Sequence, residues 1–181
     1  MRVTRAWFNI NILLAFALMM GLTTSAAEGD APAKKPRKPK PVKAVRIYVE
    51  TRHDIAERSL AATVGRSSPM SFQVEKLPIL NEVHVEEAAL LEESGTYQVQ
   101  LKFNSLGTRV LEAYTAAAVG RHLVIMTDID AEARWIAAPL VRRRIGDGVL
   151  RFVPDASREE MQRLVRGLNE AIAKKKKRWL N

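Results

Sequence analysis

Residues 96–120 read TYQVQLKFNSLGTRVLEAYTAAAVG, and the spacing of their apolar residues changes halfway through. From Thr96 to Phe103 apolar and polar residues alternate, which predicts a half-buried strand. Asn104 can then cap a helix that Gly120 closes in a left-handed conformation. The helix is expected to bury one apolar stripe, formed by Leu106, Val110, Leu111, Tyr114 and Ala118. A strand followed directly by an amphipathic helix indicates a fold that mixes both elements.

Upstream of this stretch, the pattern predicts two more strands and one short helix. Residues 45–49 alternate as a half-buried strand does and begin the domain. Residues 55–64 predict a short helix, which ends at the glycine, serine and proline turn of residues 65–69. Residues 71–77 alternate again. Residues 83–93 fit a strand at their beginning and a helix further on, and the sequence leaves both open.

Downstream, three apolar segments predict strands at residues 123–126, 135–141 and 149–153. A helix follows them, because Ser157 and Glu160 have the spacing of a capping box and apolar residues recur behind them at helical intervals. The chain therefore ends its folded part with a strongly marked amphipathic helix.

These elements predict one domain at residues 44–173, since 181 residues do not provide two well-buried cores. Strands interleaved with few helices and joined by short loops favour the α+β class. We expect a two-layer domain with a mostly antiparallel sheet and two or three helices packed on one face.

The first 27 residues have the features of a secretory signal peptide. Arg2 and Arg5 precede an apolar run at residues 10–22, and small residues lead to a cleavage site near Ala27. The run of 13 residues is short for a membrane span, which needs roughly 20. We therefore expect an exported protein of the periplasm or cell envelope. A leader retained as an anchor is the alternative, and it would leave the domain in the same compartment.

The net charge of +9 is concentrated outside the predicted domain. A disordered linker rich in lysine and proline is predicted at residues 28–43, and a basic C-terminal tail at residues 174–181. Residues 44–173 contain 16 basic and 18 acidic side chains. A nucleic-acid-binding domain usually carries its positive charge on the fold, so the distribution argues against nucleic acid as the partner.

The linker and the tail are candidates for contact with an anionic membrane or a polyanionic envelope polymer. A cation beside an anionic bilayer gains about 1 kcal/mol, and a tryptophan suits the headgroup layer. Soluble tails without a partner are an equally weighted alternative, and polyanion binding through the tails is another. The candidate contacts are Lys34, Lys35, Arg37, Lys38, Lys40, Lys174, Lys175, Lys176, Lys177, Arg178 and Trp179.

The sequence lacks the motifs of the common catalytic classes. It has no cysteine, which excludes disulfides, thiol chemistry and a lipoprotein anchor. Residues 65–69 lack the second glycine of a serine-nucleophile elbow and have the composition of a turn. His53, His84 and His122 are scattered without metal-ligand spacing. We expect no enzymatic activity and no cofactor.

One acidic segment keeps a metal-dependent or hydrolytic enzyme open as an alternative. Asp128, Asp130 and Glu132 alternate after an apolar segment and could face one cation. A calcium loop of the EF-hand type would need glycine and glutamate where Ala133 and Pro139 stand. A solvated turn is therefore the favoured interpretation.

Arg142, Arg143 and Arg144 form a cluster that precedes the turn at Gly146 and could contact a carboxylate, a phosphate or an acidic partner. Three adjacent side chains on a strand end cannot all point the same way. The cluster is therefore expected to be divided, and it is a candidate partner or anion contact.

The order of elements, together with particular residues, resembles the head subdomain of the first periplasmic domain of the SecD/SecDF family. The resemblance covers about residues 83–168. It rests on residues 97–103, on Gly107, Leu111 and Thr115, on residues 120–125, on Ala138-Pro139, on residues 145–148 and on the closing helix. The family's tight Asp-Gly turn is replaced here by Asp128-Ile129-Asp130.

This resemblance implies an α+β domain that engages exported polypeptides on the outer side of the membrane. The sequence has one apolar stretch of leader length and lacks the membrane part of SecD, so we expect a head-like domain without ion-driven pumping. The partner is expected to be a protein or an unfolded polypeptide, in secretion or envelope assembly. No family residue is carried over as a functional one.

Overall fold

The computed structural model describes residues 44–51, 58–93, 95–129 and 132–180. The predicted signal peptide and the predicted linker lie outside the described residues. Nine strands and two α-helices are present in the described part. Their order is β1 Val45–Val49, β2 Ser59–Val64, β3 Met70–Glu75, β4 Leu80–Asn81, a 3₁₀ turn Glu82–His84, β5 Val85–Glu93, β6 Thr96–Phe103, α1 Ser105–Ala117, β7 Leu123–Ile129, β8 Glu132–Ala137, β9 Val149–Phe152 and α2 Arg158–Leu180.

The strands form three antiparallel sheets, of order β4-β1-β7-β8, β2-β3 and β5-β6-β9. The predicted α+β class with a mostly antiparallel arrangement is confirmed. One face of the four-stranded sheet packs with the three-stranded sheet and both helices around a large core, which includes Ile47, Leu101, Leu111, Ile125 and Met161. Both helices thus bury their apolar sides in the same core.

The opposite face of the four-stranded sheet is also covered, by the β2–β3 hairpin. Tyr48 and Val124 pack there with Ala62, Phe72 and Val74 in a smaller core. Alternation explains this arrangement, because neighbouring residues of β1 and β7 point to opposite faces. The central strands are therefore buried on both sides.

The helix predicted at residues 55–64 is wrong over the residues that the structure describes. Ser59–Val64 is strand β2, which pairs in register with Met70–Glu75. Alanine, leucine and glutamate gave the segment its helical propensity, but Ala62 and Val64 are buried in the smaller core. Tertiary packing overrides a weak local preference.

The segment that the sequence left open divides into a 3₁₀ turn and a long strand. Asn81 caps the turn with its side chain, and His84 Nδ1 accepts a hydrogen bond from the Asn81 N–H at 3.2 Å. Strand β5 then pairs with β6 along its length. The predicted strand at residues 96–103 is confirmed at both ends.

Helix α1 is confirmed, with Asn104 as its N-cap, but its buried side differs from the predicted stripe. Leu111 and Ala118 are buried, whereas Leu106 and Tyr114 are 53% and 38% exposed. Gly107 and Thr115 take their place against the core, because a close approach of helix and strands needs small residues there. Gly120 has the expected positive φ of +79°.

Helix α2 begins with the predicted capping box. The Ser157 N–H donates to Glu160 Oε2 at 2.7 Å, and the Glu160 N–H donates to Ser157 Oγ at 3.2 Å. The helix continues through the basic residues to Leu180. In mid-helix, Asn169 bonds both the N–H and the C=O of Ala88, at 3.0 and 2.8 Å. Its side chain therefore blocks the outer edge of β5.

Candidate functional site

A groove of about 870 Å³ opens beside β9, and we call it the edge groove. One wall is formed by Arg151, Phe152 and Val153 at the end of β9. The other walls are the loop between β2 and β3 and the segment Ile136–Leu140 that continues β8. The groove thus lies where the three sheets approach each other.

The wall opposite β9 is held in an extended conformation by backbone hydrogen bonds to the start of β7. The Leu123 N–H donates to the Pro139 carbonyl at 3.0 Å, and the Val141 N–H donates to the Arg121 carbonyl at 2.8 Å. His122 and Leu140 form an isolated bridge between these bonds. The predicted strand at 135–141 therefore ends as a regular strand at Ala137, but its continuation keeps strand-like pairing.

An ion-pair cluster of Glu160, Arg66 and Arg134 fixes the β2–β3 loop, which forms one wall of the edge groove. Arg66 Nη2 donates to both carboxylate oxygens of Glu160, each at 3.2 Å. Arg134 donates from Nη1 to Oε1 at 3.2 Å and from Nη2 to Oε2 at 3.1 Å. The cluster joins the β2–β3 loop, β8 and the first turn of α2. It therefore connects segments that are far apart in the sequence.

The same contacts change the acidity of Glu160. Hydrogen bonds from Arg134 are the largest cause, and the Ser157 N–H and the charges of both arginines add to them. Together they outweigh the effect of burial and lower the pKa of Glu160 to about 2 from 4.5. The carboxylate therefore stays charged and keeps both guanidinium groups in place over the whole neutral range.

The arginine cluster predicted as a partner contact lies on the exposed segment between the extended wall and β9. All three side chains are exposed. Arg142 lines the edge groove, whereas Arg144 points elsewhere and pairs with Glu112 on α1 at 2.5 Å. Arg143 does not line the groove. Partner or anion contact by these residues stays a prediction, with Arg142 the best placed.

Thr115 ties this segment to α1. Its hydroxyl donates to the Leu111 carbonyl at 2.7 Å and accepts from the Ile145 N–H at 2.9 Å. Thr115 is fully buried, and its bond with the partly buried Ile145 N–H holds the segment that follows the arginines.

A second groove, of about 650 Å³, lies between the 3₁₀ turn, the start of α1 and the last part of α2, and we call it the helix groove. Val85, Leu168 and Ile172 are among its mostly apolar walls. Lys175 stands at its rim and donates to the Val83 carbonyl at 3.4 Å. Part of the predicted basic tail therefore belongs to a groove of the fold.

The remaining tail cations extend along the exposed end of α2. Lys174, Lys175, Lys176, Lys177 and Arg178 are all exposed, which agrees with a surface for anions but identifies none. The predicted linker contacts Lys34, Lys35, Arg37, Lys38 and Lys40 lie outside the described residues. Trp179 is in the last turn of α2, and its side chain is not among the described ones.

The acidic segment is divided between two strands. Asp128 lies near the end of β7, with its carboxylate 3.9 Å from the Arg46 guanidinium. Glu132 is exposed at the start of β8, and Asp130 lies outside the described residues. No group of three metal-ligand side chains occurs within the described ranges. The metal-dependent alternative therefore gains no support from Asp128, whose carboxylate lies beside the Arg46 guanidinium.

The histidines lie apart from each other. His84 belongs to the cap of the 3₁₀ turn. His122 contacts Glu50, whose carboxylate is 2.7 Å from Nδ1 and accepts the His122 N–H at 2.8 Å. His53 lies outside the described residues. Each described histidine thus has a structural partner.

Sequence reasoning missed the main residues of the edge groove: Arg66, Leu140 and Arg151. Arg66 is one residue after a glycine in a turn, and Leu140 and Arg151 follow ordinary strand patterns. The capping box identified Glu160 as a helix cap, but its two arginine partners are 26 and 94 residues away. No local signal reports contacts of that sequence separation.

Among the residues that the structure describes, no helix has both the length and the apolar character needed to cross a membrane. The chain matches the protein family described as SecDF, P1 head subdomain, over residues 58–171. The predicted resemblance is confirmed, and the match begins about 25 residues earlier than predicted, so it includes the β2–β3 hairpin. Among curated proteins, no match is found.

Two solved structures of SecDF are similar to the chain. One is of SecDF described as a membrane component that enhances protein export, with 17% sequence identity and a TM-score of 0.52; the match covers 71% of this chain and 62% of that one. The other is a crystal structure of SecDF in a super-membrane-facing form, with 16% identity and a TM-score of 0.50, covering 71% and 19%. The chain thus spans less than two thirds of either, and the likeness is one of fold.

Proposed function

We propose, from the premise that this chain belongs to the SecDF P1 head subdomain family, that it is a non-enzymatic protein of export that binds unfolded polypeptides. The family match at residues 58–171 is the observation that carries the proposal. A similar solved structure belongs to a membrane component that enhances protein export. The predicted signal peptide agrees with a domain that works in the periplasm or cell envelope, with cleavage near Ala27.

The surface of the domain supports this function. The edge groove and the helix groove, in the part of the chain that the structure describes, both combine apolar walls with charged rims. An unfolded polypeptide offers apolar side chains and unpaired backbone groups, which such grooves can receive. The serines at 67 and 68 lie in the β2–β3 turn, and the sequence contains no cysteine. We therefore assign binding, rather than a covalent step, to the domain.

The proposal predicts that the protein distinguishes unfolded from folded polypeptides. We expect saturable binding of reduced, carboxymethylated lactalbumin, which cannot refold, and no binding of the same protein with its disulfides intact. Fluorescence anisotropy of the labelled lactalbumin measures both. Equal binding of the two forms, or binding of neither, would refute the proposal.

A second function, contact with an anionic surface, is favoured by the five exposed cations at the end of α2. Each cation near an anionic bilayer gains about 1 kcal/mol. Replacing all five by glutamine is therefore expected to reduce cosedimentation with phosphatidylglycerol vesicles by more than about tenfold. The residues to replace are Lys174, Lys175, Lys176, Lys177 and Arg178.

A matched control removes the same number of exposed cations from the rest of the domain. It should keep nearly all vesicle binding, because those cations are not concentrated in one place. Its positions are Lys76, Lys102, Arg109, Arg143 and Arg166. If both variants bind vesicles equally, the helix end is not the contact surface.

A further inference from the structure

One wall of the edge groove is a strand whose outer edge has no partner strand among the described residues. Strand β9 is at the edge of its sheet, and β6 is its one partner strand in the part of the chain that the structure describes. The backbone of Ala88 points away from β6, toward Asn169, so its partner Leu101 points toward β9. Leu101 is opposite Leu150, so the N–H and C=O of Leu150 point toward β6. Successive residues of a strand direct their backbone groups to opposite edges, so the N–H and C=O of Arg151 point away from β6.

The opposite wall presents the same kind of unpaired backbone. Pro139 and Val141 both direct their backbone bonds toward β7. Leu140 lies between them and, by the same alternation, directs its N–H and C=O away from β7. Leu140 and Arg151 both line the edge groove. Outside the pairing of the strands, the backbone hydrogen bonds of the described ranges involve neither residue.

The outer edges of β5 and β9, the two edge strands of the same sheet, differ in how they are covered. A free strand edge invites pairing with another chain, and folded proteins usually cover it. The edge of β5 is covered, since Asn169 occupies both backbone groups of Ala88. The chain that continues β9 is closed against the end of β8 at one point, where the Asp155 N–H donates to the Ile136 carbonyl at 2.6 Å, and the edge of β9 before that point lies beside the groove.

The side chains around the groove indicate what kind of strand fits. Arg66, Arg142 and Arg151 line it together with one carboxylate, Asp155. Arg66 is already paired with Glu160, so Arg142 and Arg151 supply the positive charge for a partner. Exposed apolar side chains lie beside these charges, with Met70 57%, Leu140 46% and Val153 57% exposed. An extended segment that alternates acidic and apolar residues matches both features, because its side chains point to opposite faces.

We propose that the edge groove binds an extended, acidic polypeptide segment, which adds as a β-strand between β9 and the segment around Leu140. The proposal rests on the proposed function and names the substrate class of its site. Main-chain hydrogen bonds provide the affinity, and the arginines select for carboxylates. Such pairing requires an unfolded partner, because the backbone of a folded chain is already paired.

The test uses the full chain and a fluorescent nine-residue peptide that alternates glutamate with valine or threonine. Two further peptides carry N-methyl groups on either the odd or the even residues, so that one edge of the peptide cannot donate. We expect the unmodified peptide to bind and each methylated peptide to bind at least about tenfold more weakly. Hydrogen exchange should show new protection of the Arg151 and Leu140 amides only with the unmodified peptide.

Charge variants test the selectivity. The double variant Arg142→Glu/Arg151→Glu is expected to weaken binding of the acidic peptide by at least about tenfold. Two single variants change the net charge equally but differ in position relative to the groove. Arg142→Glu should weaken peptide binding, whereas Arg143→Glu, at a neighbouring residue that does not line the groove, should leave it nearly unchanged. Circular dichroism checks that each variant remains folded.

Equal affinity for methylated and unmodified peptides, or equal effects of the variants at 142 and 143, would overturn the strand-addition proposal. If carboxymethylated lactalbumin still binds in that case, only the assignment to the edge groove fails. If neither lactalbumin nor the peptides bind, the proposed function fails with it.

Discussion

Replacing Glu160 by glutamine is expected to destabilise the protein by about 2 kcal/mol at neutral pH. The Glu160 carboxylate binds Arg66 and Arg134 and caps the first turn of α2. Its loss removes the counterion of Arg134, whose Nε is already buried without a hydrogen-bond partner among the described residues. Urea unfolding of both proteins at pH 7 measures the difference.

The size of the effect follows from the acidity of the group. A carboxyl whose pKa falls from 4.5 to about 2 accounts for about 3 kcal/mol of folding free energy at most. The Glu160 side chain is 17% exposed, and the discount for solvent screening leaves about 2 kcal/mol. The cluster is therefore a large contribution for a domain of this size.

The pH dependence has a definite sign. Because the pKa of Glu160 is depressed in the folded state from 4.5 to about 2, its stabilisation is present above the unfolded value and is lost as pH falls through this range toward about 2. The glutamine variant cannot titrate there, so its free energy of unfolding should fall less steeply in that window.

Glu87→Gln provides the matched control, since Glu87 is an exposed carboxylate on β5. It should keep both the wild-type stability and the wild-type acid dependence. If Glu160→Gln behaves like this control, the ion-pair cluster does not hold the β2–β3 loop in place.

Replacing Gly65 by alanine is expected to destabilise the protein by about 3 kcal/mol. Gly65 has a φ of +104°, which side chains other than hydrogen disfavour. A Cβ there would also lie 2.4 Å from the Ser68 carbonyl oxygen, so the backbone of the β2–β3 loop would have to move. The melting temperature and the midpoint of urea unfolding report the loss.

Gly120→Ala separates the cost of the positive φ from the cost of the contact with Ser68. Gly120 has a φ of +79°, but no atom lies within 4 Å of the position of a Cβ. This variant should lose only the conformational part, about 1 kcal/mol. Equal losses at the two glycines would mean that the contact with Ser68 costs nothing.

The hairpin that contains Gly65 illustrates where the sequence was insufficient. Residues 58–64 carry residues with helical propensity, and nothing local reports that Ala62 and Val64 face a sheet. They form strand β2 because β3 and the face of β1 and β7 offer them apolar surface. The local preference is worth tenths of a kcal/mol per residue, whereas burial of a valine is worth about 2 kcal/mol.

The sequence by itself determined the elements whose signals lie within a few residues. Alternation set strand β6, Asn104 and Ser157 set the starts of the helices, and the order of these elements was enough to indicate the family. Such signals are reliable because period and capping act through neighbouring backbone groups.

Only the tertiary structure decided the candidate site. The strand and helix of residues 96–120 contribute to the core, and the edge groove lies beside them. It combines a β2–β3 loop, a continuation of β8 and the open edge of β9, held by contacts such as that of Arg66 with Glu160, 94 residues apart. A groove between sheet edges depends on which strands remain unpaired after folding, and pairing is a property of the whole chain rather than of any one segment.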